Sequence, residues 1–68
     1  MLRITMAAAR VNAGLKQKEA AEALGISNKT LGKWESGTAI PTADKVAKIC
    51  ELYRLPYDNI IFFKRDNA

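Results

Sequence analysis

"QKEAAEALGISNKTLGKWES", residues 17 to 36, decides the fold. Ala20, Ala21 and Leu24 fall on one side of a helix from about Gln17 to Leu24. Gly25 ends that helix, and Ser27 has the hydroxyl that caps a following one, from about Asn28 to Glu35. The dipeptide "SG", Ser36 and Gly37, stops the second helix. Each residue type in the stretch has a packing reason. Ala21 is small where the two helices cross closely, and Gly25 takes the left-handed backbone of the turn. Ile26 plugs the elbow, while Leu31 and Trp34 bury the second helix against the first. One residue stands out: Gly32 sits inside the second helix, where glycine costs roughly 1 kcal/mol relative to alanine.

Two short helices joined by about three residues, with glycine in the joint, form the helix-turn-helix pattern. The competing reading of the same residues is a helical hairpin that binds nothing. Outward from this stretch the chain continues as helix after helix. Thr5 caps a helix from about Met6 to Ala13, with Met6, Ala9, Arg10 and Ala13 on one face and Gly14 at its end. Thr42, after Pro41, caps another from about Ala43 to Tyr53, whose Val46, Ile49, Cys50 and Tyr53 repeat at i, i+3, i+4 and i+7. That stripe reads as core, with Cys50 a small buried hydrophobe. "LPYDN" marks a break at Pro56, and a short fifth helix follows from about Tyr57 to Ile61. The expectation is an all-α bundle of five short helices, one domain over residues 1–68 with a core at about 5–62 and a polar tail at 64–68 that frays.

Composition narrows the function classes. The absence of histidine removes the commonest metal ligand and the commonest general base, and no Gly-rich phosphate loop is present, so neither enzyme activity nor a metal or cofactor is expected. A single cysteine permits no intramolecular disulfide. No apolar run approaches the roughly 18 residues of a membrane span, which points to a soluble, cytoplasmic protein. The net charge of +4 favours an anionic partner, although surface charge also serves plain solubility.

Two segments carry a family resemblance. "ARVNAGLKQKEAAEALGIS" resembles the pattern R-x-x-x-G-L-T-Q-x-x-x-A-x-x-L-G-[IV]-S, and "WESGTAIP" resembles W-E-x-G-x-x-x-P. Both patterns characterise the lambdoid phage repressor and Cro-like (XRE) helix-turn-helix regulators of phage and bacteria. The resemblance covers about residues 5 to 62. It implies a five-helix domain that binds double-stranded operator DNA, usually as a two-fold homodimer, with the third helix in the major groove. The function implied is transcription regulation, as a repressor on a palindromic operator. The alternative is a protein-interaction module on the same fold, such as an antitoxin-like or antirepressor-bound partner.

Helical geometry identifies the reading face independently. At about 100° per residue, placing Asn28 at 0° puts Leu31 near about 300° and Trp34 near about 240°, so the outward direction lies near about 90°. Lys29, at about 100°, Lys33, at about 140°, and Gly32, at about 40°, therefore share the exposed face with Asn28. Asn28 can pair with adenine through its amide, and Lys29 or Lys33 can donate to guanine O6 and N7. A missing side chain at Gly32 lets the helix backbone approach the bases, or leaves room for a thymine methyl; the alternative is that the position contacts nothing.

Phosphate contacts should flank this face. Gln17 matches the family's glutamine at the start of the second helix, where an amide and a helix N-terminus hold a phosphate. Thr30, at about 200°, sits at the edge of the exposed face, and Thr38 lies in the loop beyond. Lys16 stands where the family often has threonine: either a helix cap is lost, or a cationic phosphate contact takes its place. The resemblance also pairs Arg10 with Glu35 as a structural ion pair. In "NIIFF", Ile60 and Phe62 close the core, and Ile61 or Phe63 faces outward as a dimer contact unless all four simply pack inside.

Overall fold

Thr5 begins the helical body. Its Oγ1 accepts the Ala8 N–H at 3.0 Å, satisfying one of the donors that the first turn of a helix leaves unpaired. In the computed structural model, which describes residues 3–62, this cap opens α1 (Met6–Asn12), preceded by a two-residue strand β1 (Ile4–Thr5). α2 (Gln17–Leu24), α3 (Asn28–Ser36) and α4 (Ala43–Tyr53) follow. Their inward residues make one core. Met6 and Ala9 come from α1, Ala20, Ala21 and Leu24 from α2, Leu31 and Trp34 from α3, and Ile49 and Tyr53 from α4. Ala20 is fully buried and Ala21 nearly so, because α2 packs closely against its neighbours and leaves no room for larger side chains.

The joint between α2 and α3 follows from glycine chemistry. Gly25 takes the left-handed conformation, φ 72°, which lets the Ile26 N–H return to the Ala21 carbonyl at 3.0 Å. The last carbonyl of α2 is capped from outside: Lys45 of α4 donates its Nζ to the Leu24 oxygen at 2.8 Å. A cation at a helix C-terminus also complements the dipole there.

Four expectations are corrected. α1 ends at Asn12, so Ala13 is its cap and is exposed, not part of the inward face. Thr42 stands at the cap position of α4 but makes no cap bond; its hydroxyl donates to Asp44 Oδ1 at 2.6 Å and holds that carboxyl below its usual range. Val46 and Cys50 pack against the core only half-buried, and burial pushes the Cys50 thiol up. The fifth helix is absent. After Arg54 the chain makes one 3-10 turn, Tyr57–Asn59, and then strand β2 (Ile60–Ile61) pairs in parallel with β1, Ile4 opposite Ile60 and Thr5 opposite Ile61. Among the described residues the fold is therefore four α-helices closed by a short parallel bridge. Two adjacent β-branched isoleucines favour extended backbone, and so few residues cannot repay helix nucleation.

Ile60 and Phe62 are buried, with Tyr57 stacked on Phe62 at a centroid distance of 5.3 Å. Ile61 points out, 37% exposed. Phe63 and the tail at 64–68 lie outside the described residues. No helix among the described residues is long and apolar enough to cross a membrane.

Candidate nucleic-acid interface

Ser27 starts α3 by accepting the Thr30 N–H at 3.0 Å, and its own hydroxyl donates to Thr30 Oγ1 at 2.9 Å. With Leu31 and Trp34 turned into the core, the opposite side of α3 faces solvent. Asn28, Lys29, Lys33 and Ser36 are all exposed there. Thr30 is half-buried at the edge of this face, its hydroxyl held by Ser27. Thr38 is exposed just beyond, with its hydroxyl 2.9 Å from that of Ser36 and its N–H on the Lys33 carbonyl.

Gly32 departs from the geometric reading. It is half-buried, because the Gln17 side chain lies beside it. A Cβ added there meets Gln17 Nε2 at 3.8 Å, an ordinary contact. The vacancy at Gly32 thus looks toward the start of α2, not straight out from α3.

Gln17 links the exposed face to the interior. Its Nε2 donates to Glu35 Oε1 at 3.0 Å, and its Oε1 accepts from Asn28 Nδ2 at 3.1 Å. The other oxygen of Glu35 accepts from Arg10 Nε at 2.8 Å, and Arg10 Nη1 reaches the Leu15 carbonyl at 2.9 Å. The Arg10 and Glu35 side chains are only 15% and 8% exposed. One chain of hydrogen bonds therefore runs from α1 through α3 and α2 and back to the first residue of α3. Beneath it the Tyr53 hydroxyl is buried without a hydrogen-bond partner among the described residues. Burial pushes that phenol up to about 12; the Glu35 charge adds to the rise and Arg10 opposes it.

Lys16 occupies the cap position of α2, where an ammonium cannot accept a hydrogen bond. Half of a capping box survives nonetheless: Glu19 Oε1 accepts the Lys16 N–H at 2.8 Å. The cap is reduced, not lost, and the Lys16 residue remains exposed beside Gln17. Sequence reasoning missed this bond, although a glutamate three residues after the cap is its usual signal. It also missed Lys45, for which no linear signal exists. It placed Gln17 correctly at the start of α2 but missed its bridge from Glu35 to Asn28.

A family described as helix-turn-helix matches residues 6–60. The chain belongs to that helix-turn-helix family. Its Cro/C1-like (XRE) character is supported by the HTH-type transcriptional regulator ImmR of Bacillus subtilis (strain 168), 40% identical over 53 residues. That alignment takes in 78% of this chain and 42% of the relative, so the chain spans less than half of the relative's length. No solved structure matches the chain. Within this helix-turn-helix domain, α2 and α3 are the two helices of the motif, and Gly25 lies in its turn.

Proposed function

We propose that this domain binds DNA for a transcriptional regulator, a repressor that docks α3 in the major groove of a palindromic operator as a two-fold dimer. The observation that carries the reading is the outward side of α3. It presents Asn28, Lys29 and Lys33, exposed and uncommitted to packing, from a helix whose Leu31 and Trp34 are buried on the other side. That is the posture of a recognition helix. Asn28 spends one N–H on Gln17 and keeps a second N–H and its Oδ1 for the N7 and N6 edge of adenine. Lys29 and Lys33 donate to guanine O6 and N7. Gly32 contributes no side chain to the bases and leaves room for the Gln17 amide.

Lys16, Gln17, Thr30 and Thr38 flank the reading face and contact phosphates, Gln17 with the N–H that Glu35 does not use. Ile61, the outward residue of β2, serves the dimer contact, together with Phe63 beyond the described residues. Two half-sites then lie about one helical turn apart, roughly 10 base pairs.

Selection of bound duplexes from a random pool tests this. The expected result is one motif with two-fold symmetry, with log affinity falling linearly with log salt by about 0.9 per phosphate neutralised. Affinity insensitive to salt, with no motif enriched, would overturn it.

A further inference from the structure

Asn28 reads a base only if its amide faces the right way, since its two ends differ by one donor and one acceptor. We infer that Glu35 is a positioning residue for that reading: its carboxylate fixes the polarity of the Asn28 amide through Gln17, without itself touching DNA. The inference rests on the proposal that Asn28 contacts adenine.

The logic is donor and acceptor bookkeeping along one chain of bonds. An ionised carboxylate only accepts, and a guanidinium only donates. Arg10 Nε occupies one Glu35 oxygen at 2.8 Å, so the other oxygen must also receive a donor. Gln17 can supply one only from Nε2, as it does at 3.0 Å. Its Oε1 is thereby turned toward α3, where it must accept, and Asn28 meets it with Nδ2 at 3.1 Å. Each amide has one allowed orientation. The Asn28 oxygen and second N–H are left for the base, the pattern that matches adenine N6 and N7. Glu35 itself is nearly covered, and the vacancy at Gly32 leaves space for the Gln17 amide between the two helices.

Glu35→Gln inverts the whole chain with little change of shape. Arg10 still demands an acceptor, so the new amide turns its oxygen to Arg10 and its NH2 to Gln17. Gln17 then shows its oxygen to residue 35 and its NH2 to Asn28, and Asn28 flips. A flipped Asn28 sets donor against donor at adenine N6.

The test scores affinity of the chain for operator duplexes carrying each base in turn at every position, using a duplex recovered from the random pool. In the unchanged protein, Asn28 is expected to confer a roughly 5- to 150-fold adenine preference at its base pair. Glu35→Gln should cut that to under about 3-fold while leaving the preferences at other positions in place. A purely structural role would weaken all positions alike. Should Glu35→Gln not fold, Gln17→Leu keeps the ion pair; on top of the uniform loss from its phosphate contact, it should erase the same single preference. An intact preference in a folded Glu35→Gln or in Gln17→Leu overturns the proposal. The side-chain amide NMR signals of free Asn28 and Gln17 separate the two levels of inference. Slowed amide exchange that is lost in Gln17→Leu, with base preference unmoved by Asn28→Ala, would mean the adenine reading has failed and the polarity chain stands. Unprotected amides in the unchanged protein would refute the chain itself.

Discussion

Gly32→Ala separates two reasons for having glycine in the middle of α3. The residue is helical and is not among the glycines with positive φ, so alanine fits the backbone without strain. An alanine Cβ would meet Gln17 Nε2 at 3.8 Å, which is contact without overlap. With no steric cost, what remains is the conformational freedom glycine loses on folding. Removing that liability should stabilise the domain by about 0.4–1 kcal/mol. For a domain of this size, 1 kcal/mol corresponds to a rise of about 4–8 °C in Tm.

Thermal unfolding by circular dichroism and urea titration read this directly: the midpoint should rise while the m-value stays constant. Because the new methyl packs beside Gln17 and not toward the bases, operator affinity should stay within about two-fold of the original, well under the roughly 1 kcal/mol of one base contact. A fall in Tm would refute the packing argument, since it would mean the Gln17 amide cannot accommodate the methyl. A rise in Tm with a ten-fold or greater loss of affinity, about 1.4 kcal/mol, would refute the functional half and restore the view that bare backbone approaches the DNA at Gly32. Gly32→Leu supplies the contrast, because its larger side chain must displace Gln17 and break the bridge to Asn28.

The remaining predictions concern the polar network and the reading face. Tyr53→Phe removes a buried hydroxyl that lacks a partner among the described residues and should be neutral or stabilising by up to about 1 kcal/mol in urea titrations. The Tyr53 phenol is raised from its ordinary 10.0 to about 12 in the fold, so the folded state keeps a proton that the unfolded chain releases. The Tyr53 contribution to stability is intact below about pH 10 and should be lost as pH rises through about 12, a decline of about 2–3 kcal/mol. The Phe variant should lose that part of the decline, and parallel curves for the two proteins would refute the assignment. Arg10→Ala strands the Glu35 charge at 8% exposure and should cost about 3–5 kcal/mol; a loss below about 1 kcal/mol would mean the pair is solvent-screened. Lys33→Ala should relax base preference at one operator position by about 1–3 kcal/mol, whereas a uniform loss over all sequences would make Lys33 a phosphate contact.

The parts of this fold that were legible in the sequence are those set by local chemistry. Apolar spacing located α2 and α4 at their observed ends, with Gly25 closing α2, because period and a terminal glycine are properties of neighbouring residues. The C-terminal segment was not legible on the same grounds. Ile60 and Ile61 are extended because Ile4 and Thr5 stand beside them, a pairing between opposite ends of the chain. Lys45 belongs to the same class: only the tertiary arrangement brings its ammonium to the end of α2.

The outward face of α3 shows the same division at finer scale. Rotation about the axis of α3 was enough to find Asn28, Lys29 and Lys33 outside and Leu31 and Trp34 inside, since one helix fixes those directions. Gly32 is half-buried where angle alone puts it outside, because angle does not tell whether a neighbouring helix covers a position, and Gln17 arrives from α2. The amide of Asn28 lies further still from linear legibility. Its orientation depends on Gln17, that of Gln17 on Glu35, and that of Glu35 on Arg10, residues drawn from three helices. A side chain on the surface thus inherits its hydrogen-bonding polarity from an ion pair that is nearly buried. This gives such a pair a reason to exist beyond stability, to which buried pairs often add little.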